Sequence, residues 1–103
     1  MEKIAFKMKL NPGQKAEYIK RHAEIWPELK QLLTDNGVTD YTIFFDEETD
    51  ILFGVQKASG EGSQDLGKLD IVKKWWKHMA DIMETNEDNS PVTVPLENVW
   101  HMD

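Results

Sequence analysis

Cysteine is absent from the 103-residue chain, and with it any disulfide framework, thiolate nucleophile or zinc-thiolate site. That absence suits a reducing compartment, and the cytoplasm is the expected location. Positive charge is scarce. Twelve Lys and Arg stand against nineteen Asp and Glu, a formal charge of −7, and the basic residues are scattered along the chain. A nucleic-acid partner is thereby disfavoured, because such binders gather basic side chains on one face. No glycine-rich turn opens a helix to cradle a phosphate, and no serine stands in a nucleophile elbow. Long apolar runs are missing too. None approaches the ~18 residues of a membrane span, and the start of the chain, Met1 to Lys7, lacks a signal-peptide core. A soluble, unprocessed, single-domain protein without a membrane partner is expected. A small neutral molecule is the ligand this composition leaves open.

Apolar residues fall on every second position from Ile4 to Leu10 (Ile4, Phe6, Met8, Leu10), which predicts a first strand. After the turn Asn11-Pro12-Gly13, Tyr18, His22, Ile25, Leu29, Leu32 and Leu33 recur at helical steps until Asn36-Gly37 supplies a stop. Pro27 should kink or restart that helix near Trp26, since its ring crowds the preceding turn and it has no N–H to donate. Tyr41–Asp46 and Ile51–Lys57 are rich in β-branched and aromatic residues and flank a short polar link, as in a hairpin. A loop over Ala58 to Ser63, including Glu61, leads into an expected weak helix at Gln64 to Leu69. Asp70 is expected to cap a second helix carrying Val72, Trp75, Met79, Ile82 and Met83. A polar loop at Asn86 to Pro91 precedes a final strand expected at Leu96 to Met102, with Pro95 marking its start.

The order is β-α-β-β-α-β, which predicts an α+β, ferredoxin-like sandwich with two helices over one face of a four-stranded antiparallel sheet. Strand two carries Tyr41, Ile43 and Phe45 on one side and Phe44 on the other. Strand three sets Ile51, Phe53 and Val55 opposite Leu52. Helices cover only one face, so an identical subunit is expected on the other, giving a homodimer built sheet to sheet as a dimeric α+β barrel.

Residues four apart on a helix share a face, so the Tyr18 phenol and His22 imidazole can address one ligand. Imidazole titrates closest to neutrality, which suits a proton donor or acceptor at cellular pH. The bland alternative is a core histidine satisfied by a backbone carbonyl. Trp75 and Trp76 point about 100° apart on their helix, so one can pack into the core while the other edges a cavity; the bland alternative is that both fill the core or a dimer interface. An indole offers a broad apolar face and one N–H, which suits stacking on a carbohydrate. Tyr41 can supply a second phenol from the sheet, though a tyrosine there is more often simply packed. His78 and His101 share no ligand spacing with His22, so neither a metal nor a cofactor is expected.

Taken together, Tyr18, Arg21-His22, Ile25-Trp26-Pro27-Glu28-Leu29, Asn36-Gly37 with Tyr41, Lys74-Trp75-Trp76-Lys77 and Asp88-Asn89-Ser90-Pro91 resemble the L-rhamnose mutarotase family over nearly the whole chain. The combination is far more specific than any one block. The resemblance implies a dimeric protein that interconverts the α and β anomers of L-rhamnose without metal or cofactor. It places the proton-donating histidine at His22 and the sugar contacts at Tyr18, Tyr41, Trp75 and Trp76. The chain departs from the family pattern in three places. Residues 58–68 are glycine-rich and lack a tryptophan that relatives often carry, His78 replaces a common tyrosine, and Glu87 replaces a common proline. The same topology also serves ligand-binding modules and small cofactor-free monooxygenases, so fold alone does not decide.

Overall fold

The computed structural model describes residues 2–60 and 62–103; Met1, at the start of the first strand's segment, and Glu61, in the expected 58–63 loop, lie outside them. Strand β1 (Glu2–Lys9) leads through Asn11-Pro12-Gly13 into helix α1 (Lys15–Ala23) and helix α2 (Pro27–Asp35). Strands β2 (Val38–Asp46) and β3 (Ile51–Ala58) follow, then a 3₁₀ turn at Ser63–Asp65, helix α3 (Asp70–Met79) with a 3₁₀ extension over Ala80–Ile82, and strand β4 (Val94–Leu96). The sheet order is β2-β3-β1-β4, with every neighbouring pair antiparallel.

This is the α+β arrangement expected from the element order. The interruption at Pro27 is complete: Trp26 is extended, at φ −63° and ψ 127°, as a residue before proline prefers to be. Pro27 then occupies the first helical position of α2, where no N–H is needed. Gly37 ends that helix region at φ +84°, a backbone conformation that glycine adopts without steric cost.

Alternation along the strands decides which face packs. On β3, Leu52, Gly54, Gln56 and Ala58 are buried, and their partners on β1 put Phe6 opposite Gly54 and Met8 opposite Leu52. These side chains meet Tyr18, Leu29, Val72, Trp75, Trp76 and Met79 from the helices in one apolar cluster. Full burial of a Leu, Phe or Met side chain is worth roughly 1.5–3 kcal/mol, so this layer supplies most of the driving force. The opposite face carries Phe44, which is 60% exposed and pairs with Phe53, together with Val94 and Leu96 of β4.

Strand β2 starts three residues before the alternation suggests, for a definite reason. Between Thr39 and Thr42 the register with β3 shifts, and Asp40 has φ +48°. This bulge adds one residue, so Val38 and Tyr41 both lie on the helix side although they are three apart.

Three local expectations are corrected. The final strand is Val94–Leu96 rather than Leu96–Met102, and Pro95 sits within it opposite Phe6. All three of its residues are exposed, so it carries no burial alternation to read, and its place follows from pairing with Ala5 to Lys7. Leu69, not Asp70, takes the cap position of α3; Asp70 lies in the first turn, where a carboxylate favours the helix dipole. The weak helix at Gln64 to Leu69 is instead the short turn at Ser63–Asp65.

Candidate active site

A cavity of about 640 Å³ lies between the helices and the inner face of the sheet, within the size range of small-molecule sites. Tyr18 and His22 reach it from α1, Tyr41 from β2, and Trp75 and Trp76 from α3. All five residues singled out in the sequence therefore share one space. Its remaining walls are largely apolar, with Leu29, Leu33, Ile43, Phe45 and Leu52 among them.

The helix periodicity sets the first wall. Tyr18 is buried and stacks on the His22 ring at 4.2 Å between centroids, with 29° between planes. His22 meets Trp75 edge-on at 5.4 Å. Its Nδ1 lies 3.1 Å from the carbonyl oxygen of Tyr18, an arrangement that uses Nδ1–H as the donor and leaves Nε2 as the nitrogen free for other work. The satisfied-histidine alternative is thus half realised. One ring nitrogen is committed to a backbone carbonyl, yet the ring is only partly buried and lines the cavity. Burial pulls the imidazole pKa below its ordinary 6.5, against the opposing effect of the Tyr18 carbonyl.

The residue before His22 anchors the same wall. Arg21 donates to both carboxylate oxygens of Asp81, at 2.7 and 3.2 Å, to the His78 carbonyl oxygen at 2.6 Å, and to Glu17 at 2.8 Å. This planar fork ties α1 to the end of α3, the helix that carries Trp75. Arg21 in turn holds the Asp81 carboxyl below the usual range through that hydrogen bond.

Both tryptophans are buried, at 8 and 9% exposure, and both line the cavity, so they do not divide into a core indole and an edge indole. A third indole explains how both can be enclosed. Trp26, at the break between α1 and α2, packs edge-on against Trp75 at 5.1 Å. Trp76 is seated against the backbone at Gly67, where an added Cβ would stand 2.4 Å from its ring. Only glycine admits that approach.

The second wall is polar and was not foreseen. Gln56, fully buried on the inner face of β3, donates to the Ser63 hydroxyl and accepts from the Ser63 N–H, both at 2.8 Å. This pair of hydrogen bonds sets the Ser63–Asp65 turn against the sheet and brings Ser63 and Gln64 to the cavity. Burial pushes the Tyr41 phenol up, while hydrogen bonding with the Ser63 and Gln64 side chains opposes that shift. Burial likewise pushes Tyr18 up, reinforced by the proximity of Tyr41. Both phenols are therefore neutral near pH 7 and act as hydrogen-bonding groups. Pro91 of the Asp88-Asn89-Ser90-Pro91 block also reaches the cavity. A signal for this wall did exist: a glutamine on the inward phase of β3 requires a partner.

The chain matches the profile of the L-rhamnose mutarotase family over residues 3–102. It is 65% identical to an L-rhamnose mutarotase of Bacteroides thetaiotaomicron, with all of both chains covered. It is 59% identical to one from Mesorhizobium japonicum, over 98% of this chain and 97% of that one. Among solved structures, a crystal structure of the L-rhamnose mutarotase of Formosa agariphila superposes with a TM-score of 0.94 at 61% identity, covering 100% of each chain.

Proposed function

The chain belongs to the L-rhamnose mutarotase family, and we propose that its reaction, exchange of the α and β anomers of L-rhamnose, runs on His22 inside this aromatic cavity. The observation that carries the proposal is the convergence of an imidazole, two phenols and two indoles on one space of suitable size.

Mutarotation breaks the bond between C1 and the ring oxygen, lets the aldehyde rotate about C1–C2, and remakes that bond on the other face. In the proposed cycle, protonated His22 gives its Nε2 proton to the ring oxygen as the C1–O5 bond opens. The anomeric oxygen is then part of a protonated aldehyde, and the imidazole just made neutral takes that proton. After rotation the two transfers run in reverse, and the imidazolium is recovered. Both oxygens are bonded to C1, so one ring nitrogen can serve them in turn. The raised pKa values of Tyr18 and Tyr41 support this economy, since neither phenolate is accessible near neutrality. The phenols hold sugar hydroxyls, and the indoles cover apolar C–H surface including the C6 methyl. Preference for a deoxy sugar over a fully hydroxylated one should be moderate, because an apolar pocket resists an added hydroxyl only weakly.

Magnetisation exchange between the anomeric proton signals of L-rhamnose, recorded with and without protein, tests the reading. Catalytic amounts should speed the exchange; binding with no acceleration would leave a sugar-binding module in its place.

The working unit we infer is a cytoplasmic homodimer. The lack of cysteine supports the compartment. No helix among the described residues is long and apolar enough to cross a membrane. The outer sheet face, with Phe44, Val94 and Leu96 exposed, supports self-association. Sedimentation should give twice the chain mass, and Phe44→Glu should shift it to the monomer; a wild-type monomer at micromolar concentration would remove the dimer.

A further inference from the structure

The polar wall contains a buried group whose role the proton cycle does not use. The Gln64 side-chain nitrogen donates to the Ser63 hydroxyl at 3.3 Å. The Gln64 carbonyl oxygen Oε1 is buried and has no hydrogen-bond partner among the described residues. Native proteins rarely leave such an acceptor unpaired, because its lost hydration is then uncompensated. Gln64 also lines the cavity, beside Ser63 and Tyr41. Its position is not loose. Ser63 is held by two hydrogen bonds with the fully buried Gln56, one donated by each residue, so the turn that carries Gln64 is fixed to β3.

We propose that Gln64 Oε1 accepts a hydrogen bond from a ring hydroxyl of the bound sugar, which makes Gln64 a specificity-determining residue. The inference rests on the mutarotase reading above and goes beyond it, because it concerns a residue outside the five singled out in the sequence. A hydroxyl is the chemistry that fits: the orphaned group is an acceptor, so its partner must be a donor, and hydroxyls are the donors a neutral sugar brings. A cation is not required, and an anion would be repelled by the carbonyl dipole. A site that offers a buried acceptor to a substrate hydroxyl discriminates against an analogue lacking that hydroxyl, because the acceptor is then left unpaired.

The test crosses changes in the protein with changes in the sugar. Affinities of L-rhamnose and its 2-, 3- and 4-deoxy derivatives are measured by NMR titration against the wild-type protein and against Gln64→Met, which preserves length and removes the acceptor. One deoxy sugar should bind the wild type about tenfold more weakly than L-rhamnose, the order expected for one such hydrogen bond. That gap should close in Gln64→Met, while the gaps for the other two sugars persist. Three gaps that all persist in the variant, or that all vanish together, would overturn the assignment. Gln64→Ala, read in the same way, replaces Gln64→Met if circular dichroism shows the latter unfolded. Anomer exchange on the wild type separates the two levels: no acceleration overturns the mutarotase reading itself, whereas acceleration without this coupling overturns Gln64 alone.

Discussion

The two walls of the cavity do different physical work. On the helix side, Tyr18, His22, Trp75 and their support Trp26 meet ring against ring, at centroid separations of 4.2 to 5.4 Å. Such contacts are broad and weakly directional, so they enclose a guest and exclude water without fixing its rotation. On the sheet side, Gln56, Ser63 and Gln64 are joined beside Tyr41 by hydrogen bonds, which are short-ranged and directional. In the proposed function, the first wall would hold the ring and carry its proton donor, and the second would ask which hydroxyls the ring bears. Holding and discriminating are thus separable by mutation.

The largest separation is expected at His22. His22→Ala should cost about 10²–10⁴-fold in anomer exchange if the imidazole acts as a typical general acid. Sugar affinity should change little, and exchange spectroscopy on a saturated sample would show both. Unchanged exchange would end the proposed role. The same residue makes a prediction in pH. Its pKa is pulled below 6.5 by burial, and the donor form is the protonated one, so kcat/KM should rise as pH falls through a midpoint below 6.5. A profile that instead rises with pH would identify a neutral imidazole acting first as base.

A smaller effect is expected where the aromatic wall meets the backbone. Gly67→Ala removes no atom of the site but drives a methyl group into the Trp76 ring. Affinity should fall for L-rhamnose and all its deoxy analogues alike, by roughly 5- to 30-fold, the scale of 1–2 kcal/mol of overpacking. If one deoxy analogue were spared, the division between the walls would fail. Smaller still should be Asp81→Asn, which weakens the Arg21 fork while leaving the His78 carbonyl and Glu17 contacts in place. A kcat lowered about two- to fivefold with KM unchanged is expected, since an exposed charged hydrogen bond contributes little; a change confined to KM would mean that Arg21 does not position His22.

The same contrast explains what the sequence disclosed. Tyr18 and His22 lie four apart on a helix, so spacing alone brought them to one face, whereas adjacent Trp75 and Trp76 reach one cavity only because packing encloses both. The break at Pro27 was legible because proline restricts both itself and Trp26. The order of strands and helices was enough to predict the sheet and the covering layer. The polar wall has no repeat to detect. Ser63 and Gln64 ride on a single 3₁₀ turn after a glycine-rich stretch, and their placement depends on Gln56, seven residues before Ser63. The bulge at Asp40 hid the start of β2 by breaking the alternation between Val38 and Tyr41. Strand β4 escaped because pairing, not burial, fixes it.

The contact between His22 Nδ1 and the Tyr18 carbonyl has a longer reach than its single distance suggests. Its acceptor belongs to the main chain, so no exchange of the side chain at position 18 can delete it. Tyr18→Phe would erase a hydroxyl and still leave the imidazole facing the same way. Cavity lining can therefore drift while the tautomer of the His22 imidazole is inherited unchanged, for as long as the first helix stays wound.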